Sequence, residues 1–134
     1  MTVNLYRVIN PVRDIEVAAR FYSAVFDSPG ERVSPGRHYF NLDGTILAVY
    51  DPAADGDEVT EWTPHPNQYI YVGVSDLEAA VERARALGAT LLSEKIASMP
   101  WGERLFYARD PVDIFFLHIQ GSGRVALRQC YSYC

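Results

Sequence analysis

Side chains able to do chemistry are few in this chain and follow no familiar catalytic spacing. Cys130 and Cys134 form a Cys-x3-Cys pair, and two thiolates are too few for a closed zinc site. No Ser-His-Asp, Cys-His or paired-carboxylate arrangement surrounds the three histidines, His38, His65 and His118. Tyrosine is the one excess, at nine residues. Its apolar ring and polar tip suit a ligand cavity as well as a core.

The composition indicates a single globular domain. The 134 residues are enough to bury a core, and 49% of them are hydrophobic and 22% charged. The net charge of −5 disfavours a nucleic-acid partner, because phosphate binding needs a basic face. No apolar run approaches the ~20 residues that span a bilayer, and the first residues lack a signal-peptide pattern. We therefore expect a cytoplasmic protein with no membrane partner.

A repeated segment predicts how these side chains are positioned. Val12–Ala19 is echoed 62 residues later by Val74–Val81, and each copy follows an apolar run and opens a helical pattern. A duplicated strand–helix opening predicts two half-modules of similar size. The expected divisions are residues 1–52 for the first module, 53–66 for an acidic, proline-containing linker, 67–120 for the second module and 121–134 for a C-terminal tail.

The first module reads as β-α-β-β-β. Asp14 is the expected N-cap of its helix, within which Glu16 and Arg20 are spaced for an i,i+4 ion pair. Asp43-Gly44 predicts a two-residue hairpin turn. The predicted strands are residues 3–9, 31–34, 37–42 and 45–50.

The second module repeats this order. Asp76 is the expected N-cap of its helix, and Gly88 ends that helix as a residue free to adopt positive φ. The predicted strands are residues 68–74, 90–96, 104–108 and 114–120.

This architecture resembles the vicinal oxygen chelate superfamily, which includes glyoxalase I, the extradiol dioxygenases and the bleomycin-resistance proteins. The resemblance rests on three sequence motifs: Val12–Ile15 with Arg20–Tyr22, Val74–Ala79 with Leu87–Ala89, and Pro100–Phe106 with Asp110-Pro111. The resemblance implies an α+β fold in which two βαβββ modules form a curved mixed sheet around a cup. It also implies a homodimer, with the modules paired either within or between chains.

Metal-dependent members of that superfamily place ligands on the first and fourth strands of each module. The resemblance carries these positions to Arg7 and Ala48, and to Tyr69 and Leu117. Arginine has no lone pair to offer, alanine and leucine are inert, and neutral tyrosine is a poor ligand for a divalent metal. His118 is next to Leu117, and strand alternation directs it to the other face. We therefore expect no metal and no cofactor.

The resemblance implies instead a small-molecule cavity with these ligand-binding residues: Arg7, Tyr50, Trp62, Tyr69, Tyr71, Trp101, Phe115 and Leu117. Alternatively, Phe115 and Leu117 fill the cup as core side chains and leave no room there for a ligand. Arg7 also has two readings, because a cation in a cavity is costly unless it is paired or solvated. Either an internal carboxylate neutralises it, or the cavity admits water and binds an anionic or carbonyl-bearing group.

Three functions remain open on the sequence. The first is a binding protein without chemistry, similar to the drug-sequestering bleomycin-resistance branch, with a small aromatic or cationic ligand. The second is a lyase, isomerase or dioxygenase-like enzyme of the same fold, in which Arg7 stabilises an oxyanion and Tyr69 or Tyr71 donates a proton. The third is a regulatory module whose cup is filled by side chains.

Overall fold

The computed structural model describes residues 1–58, 69–88, 90–91, 95–100, 102–109 and 116–120. The first module comprises β1 (Arg7–Pro11), α1 (Ile15–Phe26), β2 (Glu31–Ser34), β3 (Arg37–Leu42) and β4 (Thr45–Tyr50). The second comprises β5 (Tyr69–Gly73), α2 (Leu77–Ala86), β6 (Thr90–Leu91), β7 (Ala97–Ser98), β8 (Arg104–Arg109) and β9 (Phe116–Gln120). The fold is α+β, as expected. None of the helices in these ranges is long and apolar enough to cross a membrane.

The first module is a four-stranded sheet in the order β1-β4-β3-β2, covered on one face by α1. β1 runs parallel to β4, and the other neighbours are antiparallel. Asp43 and Gly44 join β3 to β4 with φ values of 54° and 102°, which is the left-handed geometry that a tight hairpin turn needs. This predicted turn fixes the register of Tyr39 opposite Ala48.

Helix α1 begins where the sequence supplies a cap. The Asp14 carboxylate accepts hydrogen bonds from the backbone N–H groups of Glu16 and Val17 at 3.1 and 3.2 Å. Phe21 and Tyr22 on its inner face are fully buried. The predicted partner of Glu16 is wrong, because its carboxylate pairs with Arg32 of β2 at 2.9 Å instead of with a residue of its own helix.

The second module has the sheet order β5-β9-β8-β6, and β7 pairs with β8 outside that path. Asp76 caps α2 by accepting from the N–H of Ala79 at 3.1 Å, and Gly88 follows the helix with φ of 83°. Both features agree with the sequence prediction. The single strand expected over residues 90–96 is wrong, because Ile96 lies outside any strand and the pairing with β8 is split between β6 and β7.

The two modules share one core. Helix α1 packs on α2, and the buried cluster joins Phe21 and Phe40 of the first module to Val72 and Phe106 of the second. Arg83 of α2 strengthens this contact by donating to the carbonyl of Ala24 at the C-terminal end of α1, at 2.6 Å. In the described part of the chain, β1 and β5 do not pair with each other, so the two sheets meet through their helices.

The first strand lies further along the chain than predicted, at Arg7–Pro11 instead of residues 3–9. The partner strand β4 explains the shift. It begins at Thr45, and its first residue paired with β1 is Ile46, which lies opposite Arg7. The preceding residues contribute only contacts to this end of β4, such as Tyr6 accepting from the N–H of Ile46 at 3.0 Å. Pro11 is tolerated because β1 is an edge strand of this sheet.

Candidate functional site

The face of the first sheet that lies opposite α1 carries the residue singled out by the sequence. Cross-strand register and alternation place eight residues on it, which we call the Arg7 face: Arg7, Ile9, Arg37, Tyr39, Asn41, Ile46, Ala48 and Tyr50. The alternate positions, such as Phe40, Leu47 and Val49, are buried in the core. The side expected for Arg7 and Tyr50 is therefore the side on which the structure places them.

Arg7 lies between two aromatic rings at the edge of this face. Its guanidinium carbon is 5.1 Å from the ring centroid of Tyr6 and 5.1 Å from that of Tyr39. Both distances are within the range of cation–π attraction. None of the ion pairs and hydrogen bonds among the described residues involves the Arg7 side chain, which is exposed. The rings thus hold a guanidinium whose N–H donors face solvent.

An apolar floor lies beside this cation. Ile46 is the register partner of Arg7, and Ala48 lies between Ile9 and Tyr39 on the neighbouring strands. Ala48 is almost fully covered, whereas Ile9 is 55% exposed. Ile9 is therefore the apolar side chain of this row that a flat ligand can contact beside Arg7.

The opposite end of the face is internally neutralised. The guanidinium of Arg37 lies 4.5 Å from the Tyr50 ring centroid and is paired with Asp55 at 2.8 Å. The Tyr50 hydroxyl makes a short hydrogen bond to Asp57, which raises the pKa of that phenol. Tyr50 is thus held by the loop that follows β4, and its hydroxyl is committed to a neighbouring carboxylate.

Asp55 anchors that loop against the β2–β3 turn. Its carboxylate accepts from the N–H of Gly36 at 2.6 Å and from the Ser34 hydroxyl at 2.8 Å. Burial opposes ionisation, but the hydrogen bonds from Ser34 and Gly36 and the charge of Arg37 outweigh it, so that the pKa of Asp55 is lowered. Gly36 is needed here, because a Cβ atom at this position would lie 2.2 Å from the Asp51 carbonyl oxygen.

The second sheet corrects one predicted position. Leu117 pairs with Ile70 and Ala108, which contact the core. His118 instead pairs with Tyr71 and Tyr107, so these three register positions share the opposite face. The prediction that Tyr71 and Leu117 share a face is therefore wrong by one residue. The position that the repeat makes equivalent to Ala48 is His118.

The described structure does not fit the metal site of the superfamily. Arg7 has no lone pair and lies between two rings, and Ala48 has no donor atom, so the first module supplies no ligand. His118 alone is an accepted metal ligand among the equivalent positions. Within the described ranges, no group of three or more histidine, cysteine and acidic side chains lies close enough to hold an ion.

Four predicted residues remain, and one of them, Tyr69, is at a register position on the same face as Tyr71, two residues along β5. Trp62, Trp101 and Phe115 lie outside the described residues, and only the backbone of Tyr69 is described, in β5 opposite Phe116. Sequence reasoning missed Tyr39, although the Asp43-Gly44 hairpin was enough to set it beside Ala48. It also missed Tyr6, whose contact with Arg7 no sequence periodicity signals.

A separate cavity of about 390 Å³ lies between the modules. Val25 and Phe26 of α1, Val72 of β5 and Arg83 of α2 are among its lining residues. None of the residues of the Arg7 face lines it. The sequence did not predict this cavity, because it depends on how α1 and α2 pack.

Solved structures from several bacteria share this fold. A glyoxalase/bleomycin resistance protein from Albidiferax ferrireducens T118 superposes with a TM-score of 0.72 at 19% identity, over 87% of this chain and 97% of that one. A glyoxalase-related enzyme from Fulvimarina pelagi gives 0.70 at 23% identity, over 89% and 88% of the two chains. The oxidase ChaP-H2 gives 0.70 at 22% identity, over 92% and 96%. At these identities the likeness shows the fold alone.

Sequence comparison gives the family. No curated protein matches the chain in sequence. The family model of the glyoxalase-like domain matches residues 7–116, which include β1 and reach the start of β9. The chain therefore belongs to the glyoxalase-like domain family, within the vicinal oxygen chelate superfamily.

Proposed function

We propose that this protein binds a small aromatic molecule on the Arg7 face without a metal ion. The observation that carries the proposal is the environment of Arg7, an exposed guanidinium held between Tyr6 and Tyr39 with no carboxylate partner among the described residues. A cation fixed beside an apolar floor provides orientation and contact area together. Sequestration of an antibiotic is the form of this function that the resemblance to bleomycin-resistance proteins favours.

A second copy of the chain completes the site in this proposal. The Arg7 face is open in one chain, since Ile9 is 55% exposed and Leu5 at the adjoining edge is 65% exposed, and Tyr71 of the second sheet is also 55% exposed. Edge strands β1 and β5 both have a side that bonds to no strand among the described residues. Pairing β1 of one chain with β5 of another would cover these side chains and set Tyr71 across from Arg7. We therefore propose a homodimer with two equivalent sites.

Fluorescence titration of the two tryptophans with a panel of flat aromatic antibiotics tests the binding proposal. At least one compound is expected to quench the emission saturably, and Arg7→Gln is expected to weaken that binding. Arg13→Gln is a matched control, because Arg13 is also exposed but lies outside the Arg7 face. Absence of saturable binding across a broad panel would contradict the proposal. The expected cytoplasmic location stays a prediction.

Catalysis is a second candidate, favoured by the row of register positions Tyr71, His118 and Tyr107. Across a dimer interface, these histidine and tyrosine positions would lie opposite Arg7, which could stabilise an enolate oxygen. Deuterium exchange at the carbon next to a keto group, followed by NMR with simple keto acids, tests this function. Exchange above the buffer rate that is lost in His118→Ala would favour catalysis, and exchange at the buffer rate would favour binding alone.

A further inference from the structure

We infer that the ligand of the Arg7 face is an aromatic carboxylate: a flat ring that lies on the exposed side chain of Ile9 and a carboxylate that the guanidinium of Arg7 holds. This inference rests on the proposed binding function and names its ligand class. It reverses the charge expected from the composition, since a net charge of −5 by itself favours a cationic ligand.

Arg7 is the cation of this face that has no carboxylate partner in the described part of the chain. Arg37 is compensated by Asp55 at 2.8 Å and by Asp57 at 3.9 Å. Glu31 is the register partner of Tyr39 on the outer strand β2, about 14 Å from β1 by strand spacing. Charges beyond about 8 Å are screened at physiological salt. Among the described residues, a ligand in contact with Arg7 therefore meets one cation that has no carboxylate partner.

The surroundings of the guanidinium suit a carboxylate. Tyr6 and Tyr39 hold the Arg7 side chain through their rings and take none of its N–H donors in a hydrogen bond. A carboxylate can accept two of these N–H groups at once, in the paired geometry that arginine favours. A phosphate group is a weaker match, because the described part of this face offers no second unpaired cation to share its higher charge.

The spacing of the rows accommodates a ring attached to that carboxylate. Arg7 and Ile46 form one cross-strand row, and Ile9, Ala48 and Tyr39 form the next one. Two residues along a strand cover about 6.6 Å, which is comparable to the distance from a carboxylate carbon to the far side of a fused aromatic ring. The ring would then contact Ile9 and the edge of Tyr39, where aromatic pairing adds to burial.

Three probes with the same ring test the inference: naphthoate, naphthamide and naphthylmethylamine, measured by calorimetry on the full chain. We expect naphthoate to bind about tenfold more tightly than the neutral amide, and the amine to bind more weakly than both. In Arg7→Gln the preference for naphthoate over naphthamide is expected to disappear, while Arg7→Lys keeps part of it. Arg13→Gln, the control variant, is expected to keep the full preference.

Each outcome has a definite meaning. Equal binding of naphthoate and naphthamide, or tighter binding of the amine, would overturn the carboxylate inference and leave the binding function standing. No binding of any probe would overturn both. If Arg7→Gln is unfolded by circular dichroism, the wild-type protein supplies the test. Added salt is then expected to weaken the binding of naphthoate and to leave the binding of naphthamide unchanged. Equal salt dependence of the two affinities would overturn the inference.

Discussion

Two arginines on one sheet face differ in what their neighbours leave available. Arg37 is paired with Asp55 and covers the Tyr50 ring, so its charge serves the loop after β4. Arg7 has only aromatic neighbours among the described residues. The two side chains are of the same type. Their pairing differs because an acidic loop lies next to Arg37. The difference supports the proposal that Arg7 binds ligand, whereas Arg37 anchors the loop after β4.

A buried hydrogen bond between Asn10 and Tyr22 gives a prediction at the residue scale. The Asn10 amide donates to the Tyr22 hydroxyl at 2.8 Å, and both side chains are fully buried. Tyr22→Phe is expected to lower the free energy of unfolding by about 1–3 kcal/mol, because it removes the partner of a desolvated amide. Urea unfolding measures the loss. Tyr6→Phe serves as the control, since Tyr6 is 60% exposed, and an equal loss in both variants would contradict this explanation.

Asp55 gives a prediction about pH. Its folded-state pKa lies below the ordinary 3.8, so its ionised form stabilises the fold. That contribution is present above 3.8 and is lost as the pH falls through the lowered folded-state value. Urea unfolding over a pH series should therefore show a smaller loss of stability on acidification in Asp55→Asn than in the wild type. Glu58→Gln, in the same loop, is expected to follow the wild type, and identical profiles for all three proteins would contradict the role of Asp55.

At the scale of elements, the contact between α1 and α2 depends on Arg83. Its guanidinium donates to the Ala24 carbonyl at 2.6 Å, near the negative end of α1, where the same carbonyl accepts a longer bond of 3.3 Å from the N–H of Asp27. Arg83→Gln is expected to lower the free energy of unfolding by about 1–2 kcal/mol. Arg85→Gln is the matched control, because its pair with Glu82 is exposed and contributes little. Urea unfolding measures both variants. Equal free energies of unfolding would show that the hydrogen bond from Arg83 to Ala24 does not stabilise the contact between the modules.

The elements show what the sequence can predict. Helix caps and tight turns depend on residues that are close in sequence. The two helix starts at Asp14 and Asp76 and the Asp43-Gly44 hairpin were therefore predicted correctly. The start of β1 and the register of β9 depend on partner strands distant in sequence. The sequence prediction was wrong at both. For β9, the count from the preceding turn was one residue short, which exchanged Leu117 for His118.

The candidate site was predictable only in part for the same reason. Strand alternation placed Arg7, Ala48 and Tyr50 on one face correctly. The contact of Arg7 with Tyr39 joins positions distant in the chain, and the absence of a carboxylate partner for Arg7 among the described residues depends on where the acidic side chains lie. Neither property leaves a local pattern in the sequence.

At the scale of the whole molecule, β1 and β5 each have an edge that bonds to no strand among the described residues, and these edges favour association. Ile9→Glu would place a charge in the proposed β1–β5 interface, and it is expected to raise the dimer dissociation constant by roughly tenfold or more. Sedimentation equilibrium over a concentration series measures the constant. Val33→Glu is the control, because Val33 is similarly exposed but lies on β2 at the other edge of the sheet. A wild-type chain that stays monomeric throughout the series would contradict the dimer.

The central claim is that ligand binds at the Arg7 face without a metal, and NMR tests it most directly. Naphthoate is titrated into chelator-treated, isotope-labelled protein while the backbone amide shifts are followed. The proposed site predicts saturable shifts centred on Arg7, Tyr39 and Ala48. Shifts centred instead on the cavity between Phe26 and Arg83, or shifts that appear only after a divalent metal is restored, would contradict it.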